Sequence, residues 1–153
     1  MGAEHRVFGD DSRVAAIKVT NTGRCGMTYR FGEPEAATPV EYLQRWQLHN
    51  LVFNDTVWLE GVMESAAGIC LVVGQNWITG EVPSEEQVHD FMLRLGFQAT
   101  ALPESYYRAS DGLAALDCHQ GNFIIGLDGV TYAIDVVMVV ADAALKARME
   151  VVE

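Results

Sequence analysis

Stretches of period two and period 3.6 follow one another along the chain, and each predicts an element. His5–Phe8 and Val14–Thr20 are short runs rich in β-branched residues. Gly9-Asp10-Asp11-Ser12 between them predicts a hairpin. Asn21–Ala37 carries Gly23, Gly26, Gly32 and Pro34 in a polar background and reads as a loop. Thr38-Pro39-Val40-Glu41 has capping-box spacing with proline at the first helical position, so a helix is predicted from there toward Asn50, with Tyr42, Leu43, Trp46 and Leu48 inward. Val57–Val62 and Gly68–Val73 read as paired strands, and Gly74–Gly80, which holds Trp77, as a break.

A second helix starts at Pro83-Ser84-Glu85-Glu86-Gln87. It places Val88, Phe91, Met92 and Leu95 on one face and stops at Gly96. Ser105–Arg108 and Leu113–Leu116 flank a predicted turn at Ala109–Gly112. Phe123–Ile125 and Val130–Ile134 flank Leu127-Asp128-Gly129, an Asp-Gly hairpin. Ala141–Glu150 reads as a short final helix. The order lacks βαβ alternation, so the expected class is α+β.

The 153 residues are half apolar and one-fifth charged, which excludes a disordered chain and fits a single domain. The longest apolar runs, such as Ile134–Ala141, are interrupted by Asp135 and fall far short of the ~20 residues of a membrane span. No basic-then-apolar leader opens the chain, so a cytoplasmic protein with no membrane partner is expected. Cys25, Cys70 and Cys118 are odd in number and form no CxxC pair, which argues against a disulfide framework or a zinc site. The net charge of −11 and the scarcity of lysine (Lys18 and Lys146) argue against a nucleic-acid partner. A phosphate ligand then requires a divalent cation or a local basic group. Homo-oligomerisation is left open.

Four polar residues stand in apolar settings. Lys18 ends Val14-Ala15-Ala16-Ile17-Lys18. Asp117 and Asn122 bracket Asp117-Cys118-His119-Gln120-Gly121-Asn122, after the apolar Leu113–Leu116. Asp135 lies between Tyr132-Ala133-Ile134 and Val136-Val137-Met138. A charge inside an apolar strand is costly unless it is paired or holds a ligand. An asparagine carbonyl and a carboxylate are hard-oxygen ligands suited to Mg²⁺, and a nearby aspartate can take a hydroxyl proton. Structural alternatives stand beside these readings. Lys18 can protect a sheet edge, Asp117 and Asn122 can be turn-formers, and Asp135 can cap a strand end. Glu41 can serve only the capping box, with Glu60 and Glu64 as rival partners of Lys18. His119 reads as a residue that shapes its loop, and His5, His49 and His89 as surface or packing residues.

These motifs resemble the protein-kinase superfamily. Val14–Lys18 looks like its lysine strand, and Asp117–Asn122 is similar to the catalytic loop of aminoglycoside phosphotransferases. Asp135 falls thirteen residues after Asn122, where a metal-binding aspartate is expected. Over roughly residues 5–141 the chain is most similar to the polyvalent-protein kinase domain of phage and mobile-element proteins, including Glu41-Tyr42-Leu43, Phe53-Asn54-Asp55, Leu59-Glu60-Gly61-Val62 and Asp135-Val136-Val137. The resemblance implies a minimal protein-kinase-like fold. A small antiparallel-sheet lobe with one main helix would span about 1–75, and a reduced lobe of a helix and β-hairpins about 76–153. It implies an ATP- and Mg²⁺-dependent phosphotransferase acting on an unidentified protein or small-molecule acceptor. Lys18 would contact the nucleotide phosphates and Glu41 would pair with it. Gln75 and Trp77 would lie at the adenine, Asp117 would be the catalytic aspartate, and Asn122 and Asp135 the metal ligands. No glycine-rich loop precedes Lys18, and Val136-Val137 stands where Phe-Gly is expected. Those departures support the alternative of an inactive pseudokinase, or an interaction module acting through a protein partner.

Overall fold

The computed structural model describes residues 4–151. The chain is mixed α/β, with antiparallel sheets and few helices. No helix among the described residues is long and apolar enough to cross a membrane. Two compact units divide it. The first comprises residues 1–28 and 34–77, the second 29–33 and 78–153.

The first unit is built on a four-stranded antiparallel sheet. Its strands are β1 (His5–Asp10), β2 (Ala15–Thr20), β5 (Val57–Ser65) and β6 (Gly68–Asn76), in the order β1-β2-β6-β5. Helix α1 (Pro39–Phe53) packs beside it. Thr38 Oγ1 accepts from Glu41 N and Glu41 Oε2 accepts from Thr38 N, so the predicted capping box forms behind Pro39. Tyr42, Trp46, Val57, Leu71 and Val73 join Cys25 and Ala37 in one buried cluster, the apolar stripe of α1 against the sheet.

Several expectations need correction here. Asn21–Ala37 is no simple loop, because it contains the hairpin strands β3 (Met27–Arg30) and β4 (Glu33–Ala36). Phe31 and Gly32 turn it with φ of 51° and 79°, the left-handed pair that a tight hairpin demands. β4 reads Glu-Pro-Glu-Ala and is exposed throughout, so it offers no alternating pattern to read. The break expected at Gly74–Gly80 is narrower, since β6 runs on to Asn76 and β7 (Gly80–Glu81) pairs with a later strand. Lys18 is not at a sheet edge, because β2 lies between β1 and β6, with Lys18 opposite Val7 and Val73.

The second unit holds two sheets. One has the order β13-β10-β9-β8, from β8 (Gln98–Ala99), β9 (Tyr106–Arg108), β10 (Leu113–Leu116) and β13 (Val137–Val140). The other is β12-β11-β7, with β11 (Phe123–Gly126) and β12 (Thr131–Ala133). Helix α2 (Glu85–Arg94) starts at the expected Ser84 capping box and buries Val88 and Met92. Phe91 meets Phe123 edge-on, with ring centroids 6.0 Å apart. The final helix, α3 (Ala143–Arg148), is shorter than expected. Asp142 caps it, accepting from Leu145 N at 2.7 Å, and also accepts from Phe31 N at 2.9 Å. All four residues of β10 are buried, and this central strand delivers the chain to Asp117.

Candidate functional site

Each unit carries part of the predicted set. In the first unit Lys18 is only 4% exposed. Its ammonium lies 4.6 Å from the centre of the Trp46 ring, a cation–π contact within a desolvated setting. Glu41 sits in the first turn of α1, half-buried, with Oε2 engaged by Thr38 N at 2.7 Å. Glu60, the rival acid, lies elsewhere. It takes Arg13 Nη1 at 2.9 Å and Trp58 Nε1 at 2.7 Å.

Gln75 lies within β6, opposite both Ala16 and Val57, and is buried. Its side-chain amide donates to Asp55 Oδ2 at 2.7 Å. Trp77 follows the end of β6, half-exposed, and its main-chain N–H donates to Val14 O at 2.9 Å. Gly9, Asp10, Asp11, Val14, Ala15 and Trp77 line an open cavity of about 210 Å³.

Sequence reasoning missed the group around Asp55. His49 is fully buried, and its Nε2–H donates to Asp55 Oδ2 at 3.2 Å, because a carboxylate only accepts. Its Nδ1 has no hydrogen-bond partner. Burial holds the imidazole pKa below its usual value, against the opposing pull of the Asp55 carboxylate; Lys18 and Arg45 lower it further. Asp55 lies below the usual carboxylate range: burial opposes ionisation, but bonds from His49, Gln75 and Thr56 N outweigh it. A signal was present in the sequence, since His49 falls on the inward stripe with Tyr42, Trp46 and Val52.

In the second unit the loop after β10 brings Asp117 and Asn122 together. Asn122 Nδ2 donates to Asp117 O at 2.8 Å and Asp117 Oδ2 at 3.2 Å. That donation leaves the Asn122 carbonyl oxygen as an acceptor. Asp117 adopts φ of 58°, a left-handed conformation that aspartate tolerates better than most residues. A 3₁₀ turn at Gln120–Asn122 closes the loop, and the wholly buried Phe123 anchors it to β11.

His119 Nδ1 accepts from Gly121 N at 3.1 Å, so the neutral ring carries its proton on Nε2, 3.9 Å from Asp117 Oδ1. The loop-shaping bond expected of His119 is therefore present. Ile134 N donates to Asn122 O at 2.8 Å, which draws the half-buried Asp135, in the bend between β12 and β13, beside the asparagine. An amide oxygen and a carboxylate are each hard-oxygen ligands of the kind Mg²⁺ takes. Tyr29 is a further neighbour that the sequence did not single out. Burial first, then the Asp117 carboxylate, pushes its hydroxyl pKa up.

Comparison with known proteins adds one finding. The sequence profile described as "Serine/Threonine/Tyrosine Kinase found in polyvalent proteins" matches residues 1–142. No curated protein and no solved structure matches the chain.

Proposed function

The chain belongs to the family of serine/threonine/tyrosine kinases found in polyvalent proteins, and from that membership we propose that it transfers the γ-phosphoryl group of ATP to an acceptor hydroxyl. The observation that carries this reading is the Asp117–Asn122 arrangement, in which the asparagine amide fixes the aspartate and leaves its own carbonyl oxygen for a cation.

Asn122 and Asp135 would hold Mg²⁺, which neutralises charge on the phosphates. By the family's pattern Lys18, whose ammonium lies over Trp46, is the residue that would contact the nucleotide phosphates. The Trp77 ring and the neighbouring cavity supply an apolar wall of the kind a purine packs on. Asp117 accepts the proton of the acceptor hydroxyl. The hydroxyl oxygen forms the bond to the γ-phosphorus, and the bond from that phosphorus to the β,γ-bridging oxygen breaks. ADP leaves with the electron pair. The family match does not favour the pseudokinase alternative.

Calorimetric titration of ATP, with and without Mg²⁺, tests it. Binding is expected to require the metal and to fall by at least tenfold in Asp135→Ala. Asp117→Ala is expected to bind ATP like the parent but to form ADP at least a hundredfold more slowly in the presence of acceptor. An absence of ATP binding in every condition would overturn the reading.

A further inference from the structure

Within the first unit, the inward face of α1 carries a ladder of rings. Tyr42, Trp46 and His49 are all buried and stand four and three residues apart, the spacing that places side chains on one helix face. Tyr42 meets the Trp46 indole edge-on, with centroids 6.0 Å apart and planes at 86°, and His49 meets it at 5.1 Å and 70°. These rings hold the indole in place. Its Nε1–H does not, because that group is buried without a hydrogen-bond partner. A buried N–H left unpaired costs stability, and a phenylalanine would fill the same helix face without that cost. What the indole adds is the strongest aromatic face for a cation. Two cations use it. The Lys18 ammonium lies 4.6 Å from the ring centroid and the Arg45 guanidinium carbon 5.2 Å. Arg45 is also tied to Glu4, whose Oε2 accepts from its Nη1 at 2.8 Å. Lys18 and Trp46 are 4% and 3% exposed, so little water competes with their contact.

We propose that Trp46 is a positioning residue for Lys18, its indole face setting where the lysine ammonium stands to meet the nucleotide. The assignment rests on the phosphotransfer reading above, in which Lys18 contacts the phosphates. An aromatic ring suits that task. Its quadrupole attracts the ammonium without offsetting its charge, as a carboxylate would. A long, flexible side chain also loses much rotamer freedom when it is fixed. A contact that fixes it beforehand lowers the cost of binding.

A double-variant cycle on the full chain tests the proposal, with the affinity for ATP in the presence of Mg²⁺ measured by calorimetry. Lys18→Met keeps most of the stem and removes the charge, and is expected to weaken ATP binding. Trp46→Leu should weaken it roughly three- to tenfold in the parent, the range of a desolvated cation–π contact, and should have no effect in the Lys18→Met background. A purely structural role for the indole predicts the same loss in both backgrounds, and that result would overturn the proposal. So would an unchanged affinity in Trp46→Leu beside a weakened Lys18→Met. If Trp46→Leu does not fold, uniform incorporation of a monofluorinated tryptophan draws charge from the ring at nearly constant size. Any effect through the other two tryptophans, Trp58 and Trp77, is common to both backgrounds and cancels. A smaller loss confined to the parent is then the expected result, and equal losses the contrary one. An affinity in Lys18→Met equal to the parent's would remove Lys18 from the phosphates, and the proposal with it, while leaving the roles of Asp117 and Asn122 standing. ATP binding absent in every condition would overturn the phosphotransfer reading itself.

Discussion

His49 shows what a single buried titratable group does to the fold. Its imidazole is neutral when folded, because burial lowers its pKa below the ordinary 6.5. The unfolded chain takes up a proton near that ordinary value, so it binds more protons than the folded chain just below it. Stability is therefore full above pH 6.5 and is lost as the pH falls from 6.5 toward the folded value. The slope from this one group is at most about 1.4 kcal/mol per pH unit. Denaturant unfolding between pH 7 and pH 5 should show that loss, and His49→Gln should flatten it. An unchanged slope in the variant would assign the acid sensitivity to other groups. Asp55 behaves in the same protonation sense, although the form the fold favours is here the charged one: its lowered pKa stabilises the fold above 3.8 and that contribution is lost in stronger acid.

At the scale of elements, close backbone approach decides where strands end and pair. A Cβ on Gly80 would collide with Ile125 O and lie 2.7 Å from the Ile125 carbonyl carbon. No side-chain rotation relieves a clash with backbone, so Gly80→Ala must part β7 from β11. A loss of roughly 1–3 kcal/mol is expected in urea unfolding, together with loss of amide protection in Phe123–Gly126. The helix starts at Thr38 and Ser84 were legible because capping boxes are local: both partners lie within four residues. The β7–β11 pairing was not legible, since a two-residue strand has no period and its partner is more than forty residues away. The β3–β4 hairpin escaped for a related reason. Its turn relies on Phe31 in a left-handed conformation, a residue type that gives no turn signal.

At the scale of the whole molecule, 21 acidic residues against 10 basic ones put the chain under self-repulsion at neutral pH. Screening relieves repulsion between exposed charges, so the melting temperature is expected to rise by a few degrees between about 20 and 200 mM sodium chloride. A fall over that range would mean that exposed ion pairs such as Arg13–Glu60 outweigh the net repulsion.

The contact between Asp117 and Asn122 is readable from the sequence because its partners stand at short spacing. Asp117 and Asn122 are five residues apart, and one loop suffices to join them. Local propensity likewise determined both long helices, the β1–β2 hairpin and the α+β class. Tertiary structure decided the rest, because burial and pairing are properties of distant segments. It set Lys18 in an interior strand over Trp46, which sequence alone left as a candidate edge residue. It gathered His49, Asp55 and Gln75 from a helix, a loop and a strand into one hydrogen-bonded group. It also placed Glu104 beside Cys118, by a main-chain bond that no side-chain pattern could announce.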